Sequence, residues 1–241
     1  MKVQSYKRES ELSYALGVTV TIELLLRRPE RVRGVLLHSG LTDGDGRRRI
    51  EELCTMRGIS VEINDKAFRV LSQKENCFAI GVFEKYDDPP LSGKRQILLV
   101  NPSNAGNLGT IMRTMAGFGL FDLSVVLPAV DPFDPKVIRA SMGALFSLRV
   151  GIYKDFENWH GTFSDLPCFP FMLTASIPLQ KATFPVPCAL IFGNEGSGLP
   201  TSFSGVGQPV VIPHGEAIDS LNLPTAAGIA LYELTKKEWS C

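Results

Sequence analysis

The chain carries no net charge, since 25 lysines and arginines are matched by 25 aspartates and glutamates. That balance excludes a field of one sign over the whole molecule, and with it a nonspecific polyanion or anionic-membrane binder. A local basic patch is still allowed. Long hydrophobic runs are also missing. Glu23 interrupts the apolar stretch 16–26, Arg27 and Arg28 end it, and no run reaches the roughly 20 residues that cross a bilayer. The five cysteines, Cys54, Cys77, Cys168, Cys188 and Cys241, form no C-x-x-C pair and have no histidine at metal-ligand spacing. The expectation is a reduced, cytoplasmic protein with no bound metal and no membrane association.

Several catalytic signatures are absent too. No serine sits in a G-x-S-x-G elbow, which disfavours a hydrolase. There is no P-loop lysine, and the glycines of 193–198 fall as G-x-x-G-x-G rather than as the dinucleotide fingerprint. The three histidines, His38, His160 and His214, lie far apart, and none is assigned as a base. No internal repeat or low-complexity tract interrupts the chain.

What is present is an alternation of short apolar runs with helical patterns. Helices are predicted at 10–28, 47–57 and 65–71, and strands at 32–37, 59–63 and 77–83, a small α/β unit over residues 1–84. Residues 85–95 contain Pro89-Pro90, are polar and lack periodicity, and read as a linker. From 96 to 241, strands are predicted at 97–100, 123–127, 148–153, 171–175, 189–192 and 210–212. Helices are predicted at 108–118, 135–146, 155–163 and 221–237. That alternation predicts a mainly parallel sheet covered on both faces. The first 60 positions hold eleven basic against eight acidic residues, including Arg47-Arg48-Arg49. Such a run is either a solvated helix start or an RNA contact.

Two stretches break from an apolar run into glycine and polar residues, as a strand does when it ends in a loop. They are 189–200, with Gly193-Asn194-Glu195-Gly196-Ser197-Gly198, and 210–222, with Ile212-Pro213-His214-Gly215 and Asp219-Ser220-Leu221-Asn222. In an open α/β sheet, loops at the carboxyl ends of strands are where ligands bind. A third stretch, 101–113, follows the first strand of the second half. In it Asn107 is a candidate helix cap, and Arg113 is either a surface residue or a grip on a phosphate or substrate oxygen.

Taken in order, Asn107 to Thr114, Phe192 to Leu199, and Ile212 through Ser220-Leu221-Asn222 to Glu233 resemble the SpoU/TrmH family of S-adenosylmethionine-dependent RNA ribose methyltransferases, within the SPOUT superfamily. Arg139-Ala140-Ser141-Met142-Gly143-Ala144 resembles a further family segment. The resemblance covers 97–233, and 10–83 is similar, less specifically, to the small substrate-binding domain that often precedes it. It implies a deep trefoil knot in the 96–241 domain, a homodimer through that domain, and S-adenosylmethionine held by Gly193, Asn194, Glu195, Gly196, Ile212, Pro213 and Leu221. It further implies transfer to a ribose 2′-hydroxyl of tRNA or rRNA, with Arg113, Asn107, Glu195, Ser220 and Asn222 as catalytic residues. His214, where an apolar residue is common, Asp219 and Pro224 depart from the family pattern. A knotted base methyltransferase and a non-catalytic RNA-binding protein are the alternative readings.

Overall fold

In the computed structural model of the chain, residues 3–72 and 76–238 are described; Cys241 lies outside them. The chain separates into two compact units. One is Met1–Tyr86 with Asp131–Ser147, the other Asp87–Val130 with Leu148–Cys241. The sequence boundaries assign 131–147 to the C-terminal half. The structure returns that segment to the first unit.

The first unit contains β1 (Leu12–Leu16), α1 (Val18–Arg27), β2 (Val32–Leu37), α2 (Asp45–Arg57), β3 (Val61–Ile63), α3 (Asp65–Leu71) and β4 (Ala79–Glu84). The second begins with β5 (Gln96–Val100), α4 (Ala105–Gly117) and β6 (Asp122–Val126). The returning segment then carries α5 (Pro135–Ala140). The second unit resumes with β7 (Arg149–Tyr153), α6 (Phe156–Thr162), β8 (Cys168–Pro170), β9 (Ile177–Pro178), β10 (Ala189–Phe192), β11 (Val210–Val211) and α7 (Leu223–Thr235).

In the first unit the sheet order is β1-β4-β2-β3, with β4 antiparallel to both β1 and β2, and β3 parallel to β2. The helix predicted over 10–28 is corrected to a strand followed by a helix. Ser13, Tyr14, Ala15 and Leu16 are all buried, and a strand covered on both faces loses the alternation that would identify it. Gly17, at φ 112°, makes the break. The returning segment is fastened by buried polar contacts. Asp131 accepts from the Tyr6 hydroxyl, from Lys85 Nζ (3.1 Å) and from the Phe133 amide (2.8 Å), and the Ser13 hydroxyl donates to the Phe133 carbonyl (2.6 Å). Phe146 meets Phe83 edge-on at 5.2 Å. The arginine run on α2 is paired locally, Arg47 with Asp43 and Glu51, Arg48 with Asp45, and Arg49 with Glu52.

The second unit is a parallel sheet in the order β7-β6-β5-β10-β8. Its inner strands β6, β5 and β10 are buried on both faces, as the continuous apolar runs predict, whereas the edge strand β7 leaves Ile152 exposed. Trp159 of α6 is fully buried, and its indole N–H donates to Ser124 Oγ (3.0 Å), which donates to Gln96 Oε1 (3.2 Å). The strand predicted at 171–175 lies earlier, at Cys168–Pro170. Beyond Pro170 the chain changes partners: the Phe171 amide donates to the Ile191 carbonyl (2.8 Å), whereas the next amide, of Met172, donates to the Val210 carbonyl (2.9 Å). That step carries 171–174 out of the sheet and along the mouth of the site. Leu91 and Arg149 are tied to Asp122, which accepts from the Leu91 amide (2.9 Å) and from Arg149 Nε (2.7 Å) and Nη2 (2.5 Å).

The Asp122 side chain is 3% exposed. Asp122→Ala leaves a guanidinium and an amide without their acceptor and is expected to cost about 3 kcal/mol in urea unfolding. Glu52→Ala, breaking an exposed pair on α2, is expected to stay within about 0.5 kcal/mol of the wild type.

Candidate functional site

The site grows from the end of β10. After Phe192 the chain folds tightly back on itself, so that a Cβ on Gly193 would lie 2.1 Å from the Gly198 carbonyl carbon. Only glycine fits there. Asn194 holds the turn with its backbone, which exchanges hydrogen bonds with Gly198 (3.2 and 2.9 Å). Its Oδ1 accepts from the amides of Gly196 (2.9 Å) and Ser197 (3.2 Å), while its Nδ2 donates to the Asn101 carbonyl at the end of β5 (2.8 Å). The glycine loop is thus anchored to the neighbouring βα loop.

Glu195 completes the anchorage. Its Oε2 accepts from the Ser103 amide (3.0 Å) and hydroxyl (2.9 Å), and its Oε1 from the Asn104 amide (3.1 Å) and Asn107 Nδ2 (3.3 Å). Burial pushes the carboxyl pKa up. The Ser103 amide, the residue's own backbone, the Ser103 hydroxyl and the Asn104 amide more than offset that, holding it below the usual carboxylate range. The carboxylate is therefore charged at neutral pH and occupied by the loop that starts α4. The cap of that helix is Asn104, whose Oδ1 accepts from the Asn107 amide (3.0 Å), and not Asn107, the candidate from sequence. Asn107 lies in the first turn, where its amide group reaches Glu195.

A pocket of about 310 Å³ opens beside this loop. Gly193, Asn194, Glu195, Gly196, Ile212, Ser220 and Leu221 line it, as do Phe171 to Thr174 and His214. Phe171 and Phe192 stack there with centroids 4.5 Å apart and planes at 18°. Pro213 and Asn222 flank the lining without belonging to it; Asn222 immediately precedes α7, and Pro224 sits in that helix's first turn. Arg113 lies on α4 as an exposed residue outside the pocket lining. The structure thus joins Asn107 to Glu195 directly and gathers the glycine loop with 212–221, but it does not bring Arg113 against them. Ser103 and Asn104 were not singled out from sequence. Their signal was the serine-asparagine pair just ahead of a helix, a pattern that marks a cap.

The model of the SpoU rRNA Methylase family matches residues 94–232, more than half of the chain and the whole of this site. The chain belongs to this family. An uncharacterized tRNA/rRNA methyltransferase from Synechocystis is 30% identical over 158 residues, which are 63% of this chain and 57% of that protein. The chain thus spans little more than half the length of that relative. A 23S rRNA (guanosine-2′-O-)-methyltransferase from Acinetobacter baylyi is 28% identical over 247 residues, covering 93% of this chain and 97% of its own. Among solved structures, an AdoMet-bound rRNA methyltransferase from Sinorhizobium meliloti superposes with a TM-score of 0.82 at 24% identity, covering 96% of this chain and 90% of its own. That likeness establishes the α/β fold with a mainly parallel sheet.

Because the Glu195 pKa is depressed, the stability it contributes is present above the pKa of an unfolded glutamate and is lost as pH falls through the folded value. Urea unfolding across the acid range is expected to show Glu195→Gln losing less stability than the wild type as pH falls. Parallel curves for the two proteins would contradict this.

Proposed function

We propose that the chain transfers the methyl group of S-adenosylmethionine to a ribose 2′-hydroxyl of a structured RNA, transfer or ribosomal. The observation that carries this reading is the join made by Glu195, which couples the pocket at the end of β10 to the loop that starts α4, the helix bearing Arg113. The names of the Acinetobacter and Sinorhizobium relatives support the reaction and the cofactor.

The pocket residues fit that cofactor. The volume suits a nucleoside-sized ligand, and the half-buried Phe171 ring, stacked on the buried Phe192, offers an apolar wall for a base. Gly193 and Gly196 bring backbone groups to the surface of the cavity without side chains in the way. On this reading Gly193, Asn194, Gly196, Ile212 and Leu221 hold the cofactor, with Pro213 fixing the turn between Ile212 and His214. When bound, the cofactor supplies a methyl group activated by a sulfonium.

Transfer requires in-line approach of the ribose oxygen, so positioning carries much of the rate. Arg113 serves to orient the 2′-hydroxyl and stabilise the charge that develops on its oxygen. A guanidinium is too weak a base to take the proton itself. Glu195, already accepting from four donors of the 103–107 segment, acts by fixing the Asn107 amide and the start of α4. Ser220 at the pocket wall and Asn222 at the head of α7 complete the polar set.

The same reading includes a deep trefoil knot built from 193–199 and 210–223. It is supported by β10, which follows β8 in sequence yet lies between β5 and β8. It also includes a homodimer, supported by α7, which packs on α4 while leaving Ile229 and Tyr232 exposed at 39% and 58%. The first unit takes the role of RNA recognition, and the place of action is the cytoplasm.

Incubating the protein with methyl-labelled S-adenosylmethionine and unmodified total RNA, then digesting to nucleosides, tests the reaction. A 2′-O-methylnucleoside is expected. A labelled base would establish the base-methyltransferase alternative, and no transfer with retained RNA binding would establish the non-catalytic one. Arg113→Ala is expected to lower the rate by about 100-fold or more while leaving cofactor affinity within about twofold. Equal loss of both would remove Arg113 from the role assigned to it.

A further inference from the structure

His214 follows β11 by three positions and lines the pocket. Its Nδ1 lies 2.9 Å from the Ile212 carbonyl oxygen. A carbonyl only accepts, so Nδ1 of the neutral ring carries the proton and Nε2 is left with its lone pair. Among the described residues, Nε2 has no hydrogen-bond partner. Two other acceptor-bearing side chains of the same lining are engaged elsewhere. Both Glu195 oxygens take donors from 103–107, and Asn194 Oδ1 takes the amides of Gly196 and Ser197. The pocket therefore keeps one nitrogen acceptor, of fixed tautomer, in a lining whose apolar wall is the Phe171 ring.

An adenosine seated against that wall brings its own donors, the exocyclic amine of the base and the two ribose hydroxyls. A donor buried without an acceptor costs more than a hydrogen bond returns. We infer that His214 Nε2 accepts a hydrogen bond from one of these nucleoside donors of the cofactor, making His214 a specificity-determining contact for the nucleoside. The inference rests on the S-adenosylmethionine reading of the pocket and assigns His214 no part in proton transfer.

Calorimetric titration of the full chain with S-adenosylhomocysteine, and with its counterparts lacking the exocyclic amine, the 2′-hydroxyl or the 3′-hydroxyl, tests it. One counterpart is expected to bind the wild type about 3- to 10-fold more weakly than S-adenosylhomocysteine, and His214→Phe with no further loss. S-adenosylhomocysteine itself is expected to bind His214→Phe weaker by the same factor. His214→Gln, whose amide oxygen reaches the position of Nε2, should recover affinity to within about twofold of the wild type. The inference is overturned if all three counterparts bind the wild type as well as the parent does, or if the losses are the same in His214→Phe. Should His214→Phe fail to fold by circular dichroism, the wild-type series and His214→Gln still decide. Absence of any S-adenosylhomocysteine binding to the wild type would instead overturn the cofactor reading, and the inference with it.

Discussion

One carboxylate joins two loops that the sequence separates by about 90 residues. The strands β5 and β10 lie side by side and parallel, so their carboxyl ends open together and each releases a loop whose amide groups need acceptors. Glu195 answers that need for the loop before α4, taking the Ser103 and Asn104 amides, the Ser103 hydroxyl and the Asn107 side chain. Asn194 answers it for the glycine loop and reaches back to Asn101. Each loop has hydrogen bonds of its own, and these cross-links join the two into a single wall. The position of α4, and therefore of Arg113, follows from the position of the glycine loop.

The same device recurs away from the site. Asp122, 2% exposed, takes both Arg149 and the Leu91 amide, and so fixes the course of the chain as it enters the second unit. Asp131 takes Tyr6, Lys85 and the Phe133 amide, and so fixes the segment that returns to the first. In each case a buried carboxylate lies where segments distant in sequence meet, and its charge is matched by several donors. A buried ion pair is a weak source of net stability, yet removing one member is costly. Such groups therefore specify the path of the chain more than they strengthen it.

Most of the regular elements were legible because their signals are local. The strand at 189–192 and the helix at 65–71 are found where apolar run and period place them. The misses share a cause in tertiary structure. Leu12–Leu16 reads as helix because a strand buried on both faces shows no alternation. Residues 171–174 are apolar enough for a strand, but the exchange of partners from Ile191 to Val210 turns them toward the pocket. The return of 131–147 to the first unit depends on contacts more than 100 residues apart, such as Ser13 with Phe133, that no local pattern encodes. At the site, glycines and Glu195 stand out by composition. The identity of the groups that Glu195 holds does not, because serine and asparagine before a helix look the same whether their amides meet solvent or a carboxylate from elsewhere.

The pairing of the α2 arginines bears on the proposal that a chain of zero net charge meets RNA. Each pair is between residues three or four apart, and those of Arg48 and Arg49 are exposed, with Arg48 66% and Asp45 97% open to solvent. Exposed pairs of this kind are worth at most about 1 kcal/mol. On that proposal, a phosphate approaching such an arginine displaces a weak partner, and the guanidinium gains two parallel hydrogen bonds in exchange. The neighbouring carboxylates then act on placement, since they repel a backbone that approaches out of register while costing little where the fork is matched. A neutral surface of alternating sign selects for shape at the expense of raw attraction. That suits recognition of a folded RNA better than capture of any polyanion.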